Sequence, residues 1–291
     1  MNILTDLLAV EETTGLPFVF FLLCVAAVGA VIGSFLNVVI HRVPLEESIV
    51  FPHSRCPSCG AGIRPYDNIP VISWLVLRGR CRGCRAPISA RYPTVELLTA
   101  VLFALTFWLR SGLSWSLPFD LLFVSAIIAL VFIDAEHMIL PNVITYPGIA
   151  LALVARLLVP NLYGVGFLCT PASCPPHWLL SFGGAVAGAL FGGGFLWLTG
   201  WLWKRLRGVE AMGLGDVKMM FMVGAYLGMP LTALTIFVGV LSGSVGGVLV
   251  MARRGERDMQ LLLPFGIFLG VGALVSLLFG TRLAEWYVSQ F

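Results

Sequence analysis

Charged side chains are scarce in this sequence. Asp, Glu, Lys and Arg make up 11% of its 291 residues, whereas hydrophobic residues make up 58%, and the mean hydropathy is +0.94. Soluble globular domains carry about a quarter charged residues, so the composition excludes that class and indicates a protein that crosses the membrane several times. Cationic residues are also missing ahead of the first apolar run, Phe18 to Ile40. We therefore expect this run to be a retained membrane span and not a cleaved signal peptide.

The apolar runs predict an all-α polytopic membrane protein with about eight transmembrane helices. Each run is long enough, or nearly long enough, to cross the bilayer. They begin near residues 18, 94, 118, 141, 178, 216, 230 and 262. The sixth run, Asp216 to Gly228, is short for a span, so we expect its helix to tilt, to thin the bilayer or to take in residues of the preceding loop.

Basic residues are unevenly distributed between the two sides of these spans. Residues 41–93 hold eight arginines, and an alternating arrangement places six more basic residues on the same side: Lys204, Arg205, Arg207, Arg253, Arg254 and Arg257. The opposite side keeps Arg110, Arg156 and Arg282. The positive-inside rule therefore predicts an extracytoplasmic segment 1–17, a first span 18–40, a cytoplasmic domain 41–93 and a membrane domain 94–291.

Two acidic residues stand out against this apolar background. Asp134 ends the third predicted span, and Asp216 opens the sixth within Gly213-Leu214-Gly215-Asp216-Val217-Lys218. An acid at membrane depth is costly and indicates a functional site. Two neighbouring carboxylates share a proton, so one can activate water while the other polarises a carbonyl, which is the chemistry of amide hydrolysis. The alternative is that each aspartate only caps or anchors a helix, as Asp216 could at a helix amino terminus.

Four of the seven cysteines form two Cys-x-x-Cys motifs in the predicted cytoplasmic domain. Cys56 pairs with Cys59, and Cys81 pairs with Cys84. This pattern in a reducing compartment predicts a structural zinc site with four thiolate ligands. A redox site, or His53 as a substitute ligand, is the alternative.

Two further cysteines, Cys169 and Cys174, fall in a loop that the topology places outside the cell. An oxidising exterior would permit a disulfide between them. We therefore expect this loop to be bridged.

Three polar residues lie near the cytoplasmic ends of the first two spans. Asn37 needs a hydrogen-bond partner at that depth, and Arg42 can extend its charge to the surface or bind an anion. Glu96 follows Pro93 and opens the second span. Each could serve catalysis, but the residues alone favour a packing or topology role for Asn37 and Arg42 and a capping role for Glu96.

Taken in order, these motifs resemble the bacterial type IV prepilin peptidases. The resemblance covers nearly the whole chain and rests on eight stretches: Gly33–Val38 followed by Arg42 and Pro44, Phe51–Cys56, the paired cysteine motifs, Asn68–Trp74, Arg91–Glu96, Asp134 with Leu140-Pro141, Gly213–Lys218, and Pro264-Phe265-Gly266.

The resemblance implies a Gly-x-Gly-Asp membrane aspartic protease. Asp134 and Asp216 would be its catalytic residues, and Gly213, Gly215 and Lys218 would belong to the active-site loop. The implied substrates are prepilins or pseudopilins of type IV pili or type II secretion, cut after glycine behind a short basic leader. Cleavage would take place at the cytoplasmic face of the bacterial inner membrane. Membrane lipid is the other expected partner, and nucleic acid is not expected.

The resemblance also implies S-adenosylmethionine-dependent methylation of the new amino terminus. The sequence lacks a glycine-rich nucleotide-binding fingerprint that would locate the methyl donor. Asn37, Arg42 and Glu96 are the candidate contacts for the donor or the substrate.

Two other functions compete with this interpretation. A signal-peptide-peptidase-like protease should carry a tyrosine before its first aspartate and a Pro-Ala-Leu motif, where this chain has Ile133 and Pro264-Phe265-Gly266. A non-enzymatic zinc-bearing transporter could use the aspartates as a proton relay, but it would be expected to show internal repeats, and none is detectable.

Overall fold

The fold of the described residues is all-helical, as predicted. A computed structural model describes residues 17–51, 53–109, 113–159, 177–208, 212–254 and 264–290, and these ranges contain no named β-strand. The α-helices are α1 Phe18–Arg42, α2 Ile72–Val76, α3 Arg91–Leu109, α4 Leu117–His137, α5 Asn142–Leu158, α6 His177–Arg207, α7 Leu214–Leu227, α8 Met229–Arg254 and α9 Phe265–Val288. Cys169 and Cys174, the predicted disulfide pair, lie outside the described residues.

Among the described residues, six helices are long and apolar enough to cross a membrane: α1, α3, α4, α6, α8 and α9. The other two predicted spans form shorter helices, α5 with 17 residues and α7 with 14 residues. A 14-residue helix is about 21 Å long, well short of a hydrocarbon core of about 30 Å.

Helix α7 is short because protein, and not lipid, surrounds it. Nearly every residue from Asp216 to Leu227 is buried, and α7 contacts α5, α6, α8 and α9. It packs most closely on α6, where a methyl group at Gly188 would lie 2.2 Å from the carbonyl oxygen of Gly224. This approach of two backbones requires glycine on both helices. A helix enclosed in this way need not match the bilayer thickness.

The chain divides into two compact units, Met1–Ala129 and Leu130–Phe291. In the first unit α1 packs along α3, and a methyl group at Gly33 would lie 2.7 Å from the Cα atom of Glu96. The segment between these helices contains α2 and both cysteine motifs. In the second unit α6 and α7 form the most extensive contact, and α8 packs on α9.

Candidate functional site

Asp216 lies in the first turn of α7 and is 9% exposed. Gly213 is the residue that precedes the helix, so Asp216 is the third helical residue. Its carboxylate turns back toward the backbone N–H of Gly213. This is the contact that the acidic residue of a capping box makes. The glycine loop therefore holds the Asp216 carboxylate at the helix amino terminus.

Asp134 lies in the last turn of α4 and is 5% exposed. Its carboxylate faces the amino-terminal turn of α9, near the backbone N–H groups of Gly266 and Ile267. The dipole of α9 favours negative charge there, although the Oδ2 atom itself is buried and has no hydrogen-bond partner within the part of the chain that the structure describes. A methyl group at Gly266 would lie 2.7 Å from Oδ2, so only glycine leaves room for this carboxylate.

The two aspartates belong to one site in the second unit. Their carboxylates lie within range of each other's charge. Leu140 lies beside both aspartates. A methyl group at Gly215 would lie 3.0 Å from its Cβ atom, and a methyl group at Gly266 would lie 3.3 Å from its Cδ1 atom. The ends of α4, α7 and α9 thus bring two buried acids together beside one leucine. Buried acids so placed can hold one proton between them and pass it to a substrate.

Lys218 lies one turn further along α7 than Leu214 and links α7 to α5. Its Nζ atom donates a hydrogen bond of 2.8 Å to Oδ1 of Asn142 and lies 5.5 Å from the ring centroid of Tyr146. Asn142 is the first residue of α5. Lys218 therefore connects the amino-terminal part of α7 to that of α5.

The four cysteines of the two motifs come together in the first unit. The Sγ atoms of Cys56, Cys59, Cys81 and Cys84 all lie within 4.8 Å of one another, and those of Cys56 and Cys84 are 3.8 Å apart. Zinc–sulfur bonds of about 2.3 Å in a tetrahedron put sulfur atoms roughly 3.8 Å apart. The cluster found among the described residues does not include His53.

The two cysteine loops have the same backbone design. The N–H of Gly60 donates to the carbonyl of Cys56, and the N–H of Arg85 donates to the carbonyl of Cys81. Gly60 and Arg85 occupy equivalent places and both have positive φ, +70° and +59°. The backbone N–H groups of Cys59 and Ser58 lower the pKa of Cys56 to about 6, which favours the thiolate that binds a metal. The geometry and the donor set therefore fit a closed four-cysteine metal site.

The structure brings Asn37, Arg42 and Glu96 together around one cavity of about 1150 Å³ in the first unit. The amide nitrogen of Asn37 donates to the carbonyl of Tyr92 at 3.0 Å, and Arg42 donates to the carbonyl of Ser48 at 2.8 Å. Glu96 is buried and accepts a hydrogen bond of 2.7 Å from the backbone N–H of Val71.

Sequence reasoning did not identify Val71 and Leu140 as parts of these sites, although both stand in motifs that it had singled out. Val71 owes its role to an unusual backbone conformation, and Leu140 owes its role to contacts with residues far away in sequence. Neither feature produces a pattern that periodicity or spacing would reveal.

Comparisons with known proteins identify the family of this chain. The model of the bacterial peptidase A24 N-terminal domain matches residues 27–110, and that of the type IV leader peptidase family matches residues 121–251. The prepilin leader peptidase/N-methyltransferase of Pseudomonas aeruginosa is 36% identical, covering 92% of this chain and 93% of that protein. The protein of the same name from Aeromonas hydrophila is 37% identical, covering 98% and 99%. No solved structure matches significantly.

These matches confirm the resemblance seen in the sequence. They favour the prepilin peptidase over both a signal-peptide-peptidase-like protease and a transporter. The relatives match along almost the entire chain. The match covers both the segment from Cys56 to Cys84 (the cysteine module) and the second unit, which holds both aspartates (the aspartate unit). The chain therefore belongs to the type IV leader peptidase family of membrane aspartic proteases.

Proposed function

We propose that this protein removes the leader from prepilins or pseudopilins and then methylates the new amino terminus. The observation that carries the first activity is the approach of two buried carboxylates, Asp134 and Asp216, at the ends of three helices. The names of the relatives, which combine the peptidase with an N-methyltransferase, support both activities.

In the proposed cleavage step, the two aspartates hold one proton between them. The ionised carboxylate takes a proton from a water molecule, whose oxygen attacks the carbonyl carbon of the scissile bond. The protonated carboxyl donates a hydrogen bond to the carbonyl oxygen. A proton then passes to the leaving amine as the C–N bond breaks. Because both acids act on one proton, the pair and not either residue sets the pH dependence.

The location of this site suits a substrate with a basic leader and an apolar helix. The positive-inside rule places the Asp134 end of α4 and the Asp216 end of α7 on the cytoplasmic side. The last turn of α6 carries Lys204, Arg205 and Arg207 on that side as well. A basic leader that stays in the cytoplasm would present the bond after its glycine at this boundary. We therefore propose a multi-pass protein of the bacterial inner membrane with a cytoplasmic active site.

The four-cysteine cluster is proposed to hold one structural zinc ion. Four thiolates satisfy tetrahedral zinc and leave no open position for substrate. The ion would organise a segment in which few hydrophobic side chains are buried; Cys56 is the one hydrophobic residue from 53 to 90 that falls in the buried core. In this proposal, zinc stabilises the module and takes no part in cleavage.

The cavity lined by Asn37, Arg42 and Glu96 is proposed to be the site of methylation. Its volume of about 1150 Å³ exceeds that of a typical small-molecule pocket, so it has room for a methyl donor together with the end of a peptide. S-adenosylmethionine would supply the methyl group on a positively charged sulfur. The cavity lies where α1 and α3 meet the cysteine module, and its residues come from the part of the chain that the N-terminal domain model matches.

Product mass tests both activities. The purified protein in lipid vesicles is mixed with a prepilin-like peptide, with and without S-adenosylmethionine. We expect loss of the leader in both reactions and the addition of one methyl group only with the donor. Intact peptide in both reactions would contradict the peptidase, whereas cleavage without methylation would contradict only the second activity.

A further inference from the structure

The side-chain amide of Asn37 has a fixed orientation. Its nitrogen lies 3.3 Å from the carbonyl oxygen of Gly33 and 3.0 Å from that of Tyr92. Both neighbours are acceptors, so the NH₂ group must face them. In the reverse orientation the amide oxygen of Asn37 would lie against two carbonyl oxygens, which cannot hydrogen-bond to it. The side-chain oxygen therefore points away from them. It is buried and has no hydrogen-bond partner among the described residues.

The carboxylate of Glu96 holds an unusual turn in place. Val71 has φ +60° and ψ −50°, and the N–H of Ile72 donates back to the carbonyl of Pro70 at 2.6 Å. This is a γ-turn of the rare strained form, and a β-branched residue is an exceptional occupant of it. The turn presents the N–H of Val71 to Oε2 of Glu96. Strain of this kind clusters at functional sites.

Asn37 and Glu96 occupy adjacent positions across the contact between α1 and α3. Asn37 bonds to Tyr92, which is one helical turn before Glu96 on α3. Ser34, which is nearly one turn before Asn37 on α1, bonds to Glu96. Residues spaced in this way share a helix face, and both Asn37 and Glu96 line the cavity.

Together these groups form a subsite that is rich in acceptors. Asn37 offers an unpartnered oxygen, and a carboxylate has about four lone-pair positions, of which Val71 and Ser34 use two. A ligand group suited to this subsite must be mainly a donor, and a positive charge on it would strengthen both bonds. A primary ammonium group has this chemistry.

We propose that Asn37 and Glu96 bind the α-amino group of the freshly cleaved substrate. This inference rests on the proposed function, in which that amine receives a methyl group. The mature substrate begins with an apolar helix, so its amino terminus would enter the cavity from the bilayer at the cytoplasmic ends of α1 and α3, where both residues lie. Glu96 takes the proton that the ammonium must lose. The nitrogen lone pair then forms a bond to the methyl carbon, and the carbon–sulfur bond of the sulfonium donor breaks, leaving a neutral thioether.

Peptide binding tests the proposal separately from turnover. A pre-cleaved peptide with a free amino terminus, and the same peptide N-acetylated, are titrated against the full-length protein in nanodiscs. Charge-assisted hydrogen bonds predict that the free amine binds about tenfold tighter or better. In Asn37→Leu and in Glu96→Gln the ratio of the affinities of the free and the acetylated peptide should fall toward one. Gln can still accept the Val71 N–H, so the turn should persist in the second variant.

Two controls separate amine recognition from other roles. Thr99→Val alters a buried hydroxyl at the same helix contact, outside the residues that line the cavity, and it should keep the full preference. Affinity for S-adenosylhomocysteine should be unchanged in the Asn37 and Glu96 variants. If both variants keep the amine preference, or if they lose S-adenosylhomocysteine instead, the proposal is overturned. A wild-type protein that prefers the free amine but never methylates it would support the amine subsite and refute the methyltransferase.

Discussion

Each loop of the cysteine module is stabilised by backbone hydrogen bonds within that loop, whereas the aspartate site is assembled from the ends of three helices. The two loops repeat the same hydrogen bonds around Cys56 and Cys81 within a few residues. Asp134 and Asp216, by contrast, meet only because the carboxyl terminus of α4 and the amino termini of α7 and α9 lie together. The comparison teaches that local hydrogen bonds shape each cysteine loop, whereas the approach of the two aspartates depends on long-range packing. Mutations in one region should therefore have little effect on the other.

The largest effect is expected from the aspartates themselves. Asp134→Asn or Asp216→Asn keeps the size of the side chain but removes the proton that cleavage requires. Each change should lower the rate of leader cleavage by about a thousandfold. Metal content and the melting temperature should stay near those of the wild type. Near-normal cleavage in either variant would end the aspartic protease mechanism.

A smaller loss of cleavage should follow from crowding the Asp134 carboxylate. In Gly266→Ala the new methyl group would lie 2.7 Å from Oδ2, which forces the carboxylate or the start of α9 to move. A displacement of this size can cost roughly a hundredfold in rate. Cleavage by Gly184→Ala is the matched control, because a side chain there would meet nothing within 4 Å. Equal rates in the two variants would show that the position of the carboxylate is unimportant.

Removing the metal should affect the module far more than the aspartate unit. Cys56→Ser combined with Cys81→Ser takes one ligand from each loop, so we expect loss of bound zinc and faster hydrogen exchange around both loops. Cleavage should fall only a few-fold, and exchange in α6 and α7 should be unchanged. Zinc measured at one ion per chain in this double variant would refute the four-cysteine site.

The smallest effect concerns pH. Arg82 lies between two cysteine ligands and bonds to both carboxylate oxygens of Asp67. Hydrogen bonding to Arg82 lowers the pKa of Asp67. A lowered pKa in the folded state means that the contribution to stability is present above the ordinary pKa of aspartate, about 3.9, and is lost as pH falls through the lower value.

The protection of the loop amides against hydrogen exchange, corrected for the intrinsic pH dependence of exchange, should therefore fall in acid in the wild type, and Asp67→Asn should flatten this dependence. Because the Arg82 side chain is 52% exposed, solvent screens the pair and the difference should be slight. Hydrogen exchange of the peptides that contain Arg82, measured across the acid range, checks it. An identical acid response in both proteins would exclude Asp67 as its origin.

Much of this architecture could be predicted from the sequence. The helices matching the eight predicted spans begin within three residues of the predicted starts, because long apolar runs have few other ways to satisfy their backbone groups. The cysteine motifs predicted their cluster because paired cysteines at this spacing need only local loops. The assigned boundaries of segments 1–17, 18–40, 41–93 and 94–291, with their sides of the membrane, stay predictions.

The remaining features depend on contacts that the sequence does not display. Helix α7 was expected to adjust to the bilayer, and it is instead enclosed by neighbouring helices. The strained turn at Val71 presents its N–H to Glu96, and nothing in local propensity favours such a turn for valine. Leu140 becomes part of the site only when Gly215 and Gly266 arrive beside it.

The most direct test of the central claim is a double-mutant cycle on the two aspartates. Leader cleavage is measured for the wild type, Asp134→Asn, Asp216→Asn and the double variant, in the same vesicles and with the same peptide. If the carboxylates act as one unit, the double variant should be about as slow as either single variant, because the first change already removes the shared proton. Rate losses that multiply, so that the double variant is slower by the product of the single effects, would contradict the account.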